Sequence, residues 1–305
     1  MSASPLAITG LALLNLALVL LLAPLYEGVL RKLKAALHSR KGPPLTQPFL
    51  DTLKLLGKED LRTAGGVVYA AFPALALASV LLLATMVPIG GAPPLGFAGD
   101  IIGFLYIASM SAVLLILAAF GSGSPFAAVG GSREMMMLLS VEPVIAVTLV
   151  IAAMKAGTLS IAGILDWQLA NGPSISMVLA GIALFLAIQA QAGKLPFDIP
   201  EADQEVLGGP LVEQSGPRLA LFRWTLWVKQ LVFALLLVEL FFPWPHTAIP
   251  AVNLLLALVK AAVVLVLVGV IDVVNPRLRI EQAMGYYLRV GFSSLAALAF
   301  AVIGM

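Results

Sequence analysis

Long apolar runs fill most of the chain and break at Pro, Gly and clustered charge. Eight of them reach or approach the ~20 residues with which an α-helix crosses a hydrocarbon core. They lie near residues 5–26, 67–89, 100–121, 134–155, 174–193, 219–242, 251–274 and 283–304. This pattern predicts an all-α polytopic protein seated in the lipid bilayer, a single membrane domain over residues 1–305 with about eight transmembrane helices. The first run has no basic residue ahead of it and positive charge behind it, so it reads as a retained helix rather than a secretory signal.

The polar segments between the runs are unequal. Arg31, Lys32, Lys34, Arg40, Lys41, Lys54, Lys58 and Arg62 follow the first run, whereas the loops around Gly91, Gly172 and His246 hold no Lys or Arg. The positive-inside rule therefore places segment 27–66 in the cytoplasm, and alternation adds 122–133, 194–218 and 275–282 to the inner side, with both termini outside. Arg133, Lys194, Arg218, Arg277 and Arg279 agree, and only Lys155 leans outward. No internal repeat suggests the inverted halves of many secondary transporters. The chemistry is expected at the inner face.

Composition narrows the picture. With 61% apolar and 11% charged residues, the chain is far from the roughly 25% charge of soluble domains. It has no Cys and only His38 and His246, so it cannot ligate an iron-sulfur cluster, haem or zinc by itself, and no cofactor is expected in this chain. A net charge of +2 gives no reason to expect nucleic acid.

Two inner segments carry most of the polar chemistry. In KGPPLTQPFLDTLKLLGKED, Lys41 to Asp60, the prolines forbid a continuous helix. Phe49, Leu50, Leu53, Leu55 and Leu56 then form an apolar stripe opposed by Asp51, Lys54 and Lys58, which predicts a short amphipathic helix at the membrane surface, ended by Gly57. In GKLPFDIPEADQEVLGGPLVEQSGPRLALFRW, Gly193 to Trp224, Pro200 can open a helix with Glu201, Asp203 and Glu205 near its N-terminus, Glu201 and Glu205 on one face. Five acids between Asp198 and Glu213 make this pocket anionic.

Ionisable residues at membrane depth are expensive and need a partner, a cavity or a function. Glu142 falls about 12 Å into the fourth span and Glu134 two turns nearer the inner end, so water could link them with the acidic loop. Lys229, Lys260 and Asp272 extend the series, the two lysines as proton carriers or as counter-ions. Glu239 reads as solvated near the outer surface, and Arg289 as reaching the inner interface by snorkelling. The Met135 to Met137 run reads as packing, and Ser132 as the cap of the fourth span. Gly121, Gly123, Gly130 and Gly131 precede no Gly-Lys-Ser/Thr, so they are not a nucleotide loop.

The two inner segments together resemble the family that contains subunit 1 of mitochondrial complex I, its counterpart in bacterial NADH:quinone oxidoreductase and the membrane subunits of energy-converting [NiFe]-hydrogenases. The shared residues are Gly42, Pro43, Pro44, Gln47, Pro48, Asp51, Lys54 and Leu55, then Pro196, Phe197, Asp198, Glu201, Glu205, Glu213, Ser215 and Gly216. GSPFAAVGGSREMM, Lys194 in GKLPFD, and Gly209-Pro210-Leu211 look like the hydrogenase branch that includes formate hydrogenlyase subunit 4. Gln214 stands where Tyr is common in both branches, and Asp203 where Glu is usual.

The resemblance implies a non-catalytic, energy-coupling subunit in a bacterial or archaeal cytoplasmic membrane. Partner subunits would hold the iron-sulfur clusters and the [NiFe] centre of a peripheral arm, and antiporter-like membrane subunits would move protons or sodium. It makes Glu134, Glu142, Asp198, Glu201, Asp203, Glu205, Glu213, Lys229, Lys260 and Asp272 a charge relay. Arg40, Lys41, Gly42, Pro43, Pro44, Gln47, Asp51, Lys54, Arg133, Lys194 and Arg218 would meet the arm. The rival readings are a quinone-reductase subunit whose loops frame a quinone chamber, a free-standing ion transporter, and a passive anchor.

Overall fold

The structure, a computed structural model, describes residues 5–61, 67–96 and 100–304; the basic residue Arg62 lies outside them. The described residues form α1 (Pro5–Leu37), α2 (Gln47–Leu56), α3 (Val67–Met86), α4 (Ile101–Gly121), α5 (Pro125–Ala156), α6 (Ile161–Asn171), α7 (Ile175–Gln191), α8 (Asp203–Val206), a 3-10 turn at Gly209–Leu211, α9 (Gly216–Phe241), α10 (Pro250–Val274) and α11 (Ile280–Ile303). Seven of these helices, α1, α3, α4, α5, α9, α10 and α11, are long and apolar enough to cross a bilayer. The eighth expected span is α7, apolar but only 17 residues long, or about 25 Å. The chain is an all-α, multi-span membrane protein.

Several boundaries differ from the hydropathy reading. α1 runs on to Leu37 because Leu30 and Leu33 keep the helical spacing of apolar positions and pack on bare Gly269 of α10, while Lys32 stays exposed. α5 begins at Pro125, with Ser124 ahead of it, so the expected loop 122–133 shrinks to residues 122–124. Ser132 is thus no cap. It sits inside α5 and donates its hydroxyl to the Ala128 carbonyl at 2.9 Å. α6, invisible as an apolar run, is capped by Ser160, whose Oγ accepts the Gly163 N–H at 3.5 Å.

α9 is the axis of the bundle. Every side chain from Trp227 to Phe241 is buried, and α1, α3, α6, α7 and α10 pack around it. Lipid tails are as apolar as Leu, so such packing gains from close fit and polar contacts rather than from escape from water. Phe233 meets Phe104 of α4 edge-on at 5.9 Å, and Gly181 of α7 leaves room for Phe241 and Phe242. α2 forms as expected between Pro48 and Gly57. It turns Leu50, Leu53 and Leu56 outward and packs on α1 and α9.

The segment between α7 and α9 folds back onto the bundle. Phe197 stacks on Tyr286 and Tyr287 of α11 at 5.3 and 4.8 Å. Gly209, at φ +54°, lies against the Pro200 carbonyl and touches Gly130 of α5 backbone to backbone. This contact corrects the expected helix from Pro200. The chain is turned there instead, α8 starts only at Asp203, and Glu201 and Glu205 share no helical face.

A Cβ on Gly130 would lie 2.5 Å from the Gly209 Cα and 2.7 Å from the Pro210 Cδ. Gly130→Ala is therefore expected to lift the turn from α5, at a cost of about 1–3 kcal/mol. Loop 194–215 should then be cleaved faster in limited proteolysis, with helix content unchanged by circular dichroism. Gly10→Ala, where a Cβ meets nothing within 4 Å, should change neither.

Candidate functional site

At one end of the bundle α1, the α7–α9 segment, α9 and α10 enclose a cavity of about 570 Å³. Each element brings charge. Arg31, Lys34, Lys194 and Arg223 face Glu27, Asp198, Glu201, Asp203 and Asp272 across it. Glu27, at the point where the apolar run of α1 ends, accepts from Lys194 Nζ at 2.9 Å and from Arg31 Nε at 3.3 Å. Arg31 continues to Asp51 of α2 at 2.8 Å. Asp272 at the end of α10 accepts from Lys34 at 3.0 Å and from the Leu195 N–H at 2.9 Å. Asp198 pairs with Arg277 at 2.8 Å. One network thus ties α1, α2, α10 and the loops beside α7 and α11 around the chamber.

Burial works against the Lys194 charge, but Glu27, Asp272 and Glu201 outweigh it and hold its pKa above the ordinary lysine value. Asp198 is raised by burial despite Arg277. For Asp51, burial is outweighed by hydrogen bonds from Arg31 and Gln47, which keep it below the usual carboxylate range. Glu201 has no described ion-pair or hydrogen-bond partner. Burial first, then the charges of Asp198 and Glu134, push it up to about 8.

Behind Glu201 lies a second cavity of about 30 Å³, room for one or two waters, into which Glu134 and Lys229 project. Gly193, Asp198, Glu201 and Leu226 line both cavities, so these two carboxylates stand between the chamber and the bundle interior. Lys229, 3% exposed, feels the charges of both Glu134 and Glu142. Glu142 Oε1 is buried with no hydrogen-bond partner. The arrangement is a run of carboxylates and one lysine leading from a polar chamber into the low-dielectric bundle.

The predicted relay residues separate into three groups. Asp198, Glu201, Glu134 and Lys229 converge, Glu142 follows, and Asp203 and Asp272 line the chamber. Glu205 instead sits at the surface, paired with Arg133 at 2.6 Å, and Glu213 lines neither cavity. Lys260 is a correction: it reaches the opposite end of α9, where it donates to the Phe242 and Pro243 carbonyls at 3.2 and 2.9 Å and pairs with Glu239 at 3.8 Å. Glu239, expected to be solvated, is 3% exposed for the same reason.

Of the residues expected at a partner surface, Arg40, Lys41, Pro44 and Lys54 are exposed. Gly42 and Pro43 are half-buried, Gly42 against Ala35 of α1, and Gln47 donates to Asp51 at 2.8 Å. Lys194 and Arg218 are not free for a partner. Lys194 is committed to Glu27 inside the chamber. Arg218, 5% exposed, bonds Asp60 at 2.9 Å over the face of Tyr69. Gln214 donates to the Tyr69 hydroxyl at 2.9 Å, a contact that employs the amide standing where Tyr was expected.

Sequence reasoning missed Glu27, Arg31 and Arg277 as members of the site. Glu27 and Arg31 did carry a signal, opposite charges four residues apart at the end of an apolar run. Arg277 carried none, because its partner is 79 residues away.

Comparison with known proteins agrees with this architecture. The NADH dehydrogenase family model matches residues 10–303. The chain is 40% identical over 256 residues to formate hydrogenlyase subunit 4 of Escherichia coli K12, covering 82% of each chain. It is 35% identical over 300 residues to hydrogenase-4 component C of the same organism, covering 94% of this chain and 93% of that one. Among solved structures it is similar to a chain of the membrane-bound sulfane sulfur reductase, an archaeal respiratory membrane complex. The TM-score is 0.88 at 28% identity, over 97% of this chain and 99% of that one.

Glu201, at about 8, is expected to be protonated at pH 7 and to ionise as pH rises through 8. Infrared titration should show a protonated carboxyl band lost over that range and absent in Glu201→Gln. Asp198→Asn removes a neighbouring negative charge and should move the loss to lower pH. Lys194→Met removes a positive one and should move it higher. A band that ignores both substitutions belongs to another group.

Proposed function

The chain belongs to the NADH dehydrogenase family, and from that we propose that it is the energy-coupling membrane subunit of a [NiFe]-hydrogenase complex of the formate hydrogenlyase type. The polar chamber faces the cytoplasm, in a bacterial or archaeal membrane, with both termini on the other side. A peripheral arm holding the iron-sulfur clusters and the [NiFe] centre stands over it and evolves hydrogen. Antiporter-like membrane subunits lie alongside and move protons or sodium.

The observation that carries this reading is the contact between the two cavities. Charge changes in the arm alter the potential at the chamber mouth, where Glu201 is poised near neutrality. Glu201, protonated at rest, repels Asp198 and Glu134 only once it has given up its proton, and reprotonation from the chamber removes that repulsion. A proton passes through the water-sized space to Glu134, and Lys229 balances the charge of Glu134 and Glu142. Lys229 is thus a counter-ion whose position couples the two acids. Lys260, held by the far end of α9, takes no part. In the relatives named as hydrogenase components the same fold serves a hydrogen-metabolising complex, which supports the branch. So does the ring of nine ionisable side chains around the chamber. An apolar quinone ring there would displace water from charged groups without replacing its hydrogen bonds.

Glu142→Gln keeps the shape and removes the titration. In the intact complex it is expected to lower ion movement per hydrogen evolved by roughly tenfold or more, with arm and metal content retained. Poor assembly of the variant would instead mark Glu142 as a structural counter-ion of Lys229. Wild-type coupling together with wild-type assembly would sink both roles.

A further inference from the structure

On the outside of the bundle the packed pair α5 and α11 line an apolar groove of about 570 Å³, distinct from the polar chamber. Its floor holds Ser140, Gly285 and Gly291, and its rims hold Leu139, Leu288 and Phe292, exposed by 65, 62 and 64%. A Cβ on Gly285 would meet nothing within 4 Å, and one on Gly291 only the edge of Val144 at 3.9 Å. The floor is therefore open to a foreign backbone rather than reserved for a neighbour in this chain. Small residues at such a site let a transmembrane helix approach closely.

Arg289 does not line this groove but stands beside its edge on α11, three residues from Phe292 and four from Gly285 and so on the adjoining strip of the helix. It is exposed and has no hydrogen bond, ion pair or ring contact with any described residue. It lies about 14 Å along a membrane-spanning helix from Ile280. Of the other cations near that depth, Lys260 pairs with Glu239, and Lys229 is buried beside Glu134 in the inner cavity, within the field of Glu134 and Glu142. A guanidinium left facing hydrocarbon is costly enough that it marks a partner. An acyl chain would fill the groove but leave that charge unmatched.

We propose that the α5–α11 face seats a transmembrane helix of another subunit of the complex, which carries a carboxylate opposite Arg289. The inference does not rest on the proton route, since a helix docks there whether or not Glu142 titrates.

The test uses the whole complex in native membranes. A photoreactive benzoylphenylalanine in place of Phe292 should cross-link to one membrane-spanning subunit, at a segment containing Asp or Glu. Arg289→Glu should lower recovery of that subunit with the complex by about tenfold or more, Arg289→Lys should retain it, and replacing the cross-linked carboxylate by Arg should restore it in the Glu variant. Gly285→Leu, tolerated by this chain's own packing, should displace the same subunit while this chain stays in the membrane with its arm attached. Cross-links to lipid alone, or to a second copy of this chain, would overturn the proposal and leave Arg289 snorkelling to a lipid phosphate. So would unchanged recovery in both Arg289→Glu and Gly285→Leu.

Discussion

A helix enclosed on all sides has no solvent with which to settle its polar groups, and α9 is such a helix. From Trp227 to Phe241 each of its side chains must be matched by a neighbouring helix. Apolar positions are met by close-fitting faces of α3, α7 and α10. The charged ones impose sharper terms, because an ionised group in a low-dielectric bundle is tolerated only beside an opposite charge or a hydrogen-bonding partner. Lys229 shares the inner cavity with Glu134 of α5 and lies in the field of Glu134 and Glu142. Glu239 pairs with Lys260 of α10, whose ammonium also donates to the Phe242 and Pro243 carbonyls just past the C-terminus of α9, where the helix dipole favours a cation.

The two ends of α9 consequently differ in kind. At the Lys260 end the charges are paired with each other and with backbone, and little room is left for change. At the chamber end nine ionisable groups share about 570 Å³. The network Asp51–Arg31–Glu27–Lys194 fixes the walls, and of the two chamber carboxylates with no described direct partner, Asp203 is exposed while Glu201 also lines the inner cavity. A group in that state responds to its surroundings, since small changes in nearby charge shift its proton affinity. Fixed walls around one responsive acid suit a device that converts a remote electrical event into proton movement.

The glycines of the folded-back segment make that proximity possible. Gly209 against Pro200 and Gly130 against Gly209 are backbone approaches that a side chain would block. They press the acidic loop onto α5, so that Asp198 and Glu201 lie within reach of Glu134. The aromatic trio of Phe197, Tyr286 and Tyr287 holds the other side of the loop on α11.

Apolar run length, clustered basic residues and the prolines around α2 were enough to determine an all-α membrane protein, seven of its long helices, the surface helix and the two polar segments that build the chamber. Those features are local, set by bilayer thickness and by what proline and glycine permit in the backbone. The motif residues Asp198 and Glu201 and the half-buried Glu134 and Glu142 of α5 were legible for the same reason, because charge stands out in an apolar context. Only the tertiary structure decided how the charges pair. It placed Lys260 with Glu239 rather than in the relay, buried Arg218, tied Lys194 to Glu27, turned Glu205 outward, and joined Arg277 to Asp198. Hydropathy records how deep a residue lies along its own helix. It does not record the rotation of that helix or which neighbour faces it, and in a medium of low dielectric those two quantities determine whether a charge is a counter-ion, a carrier or a contact for another subunit.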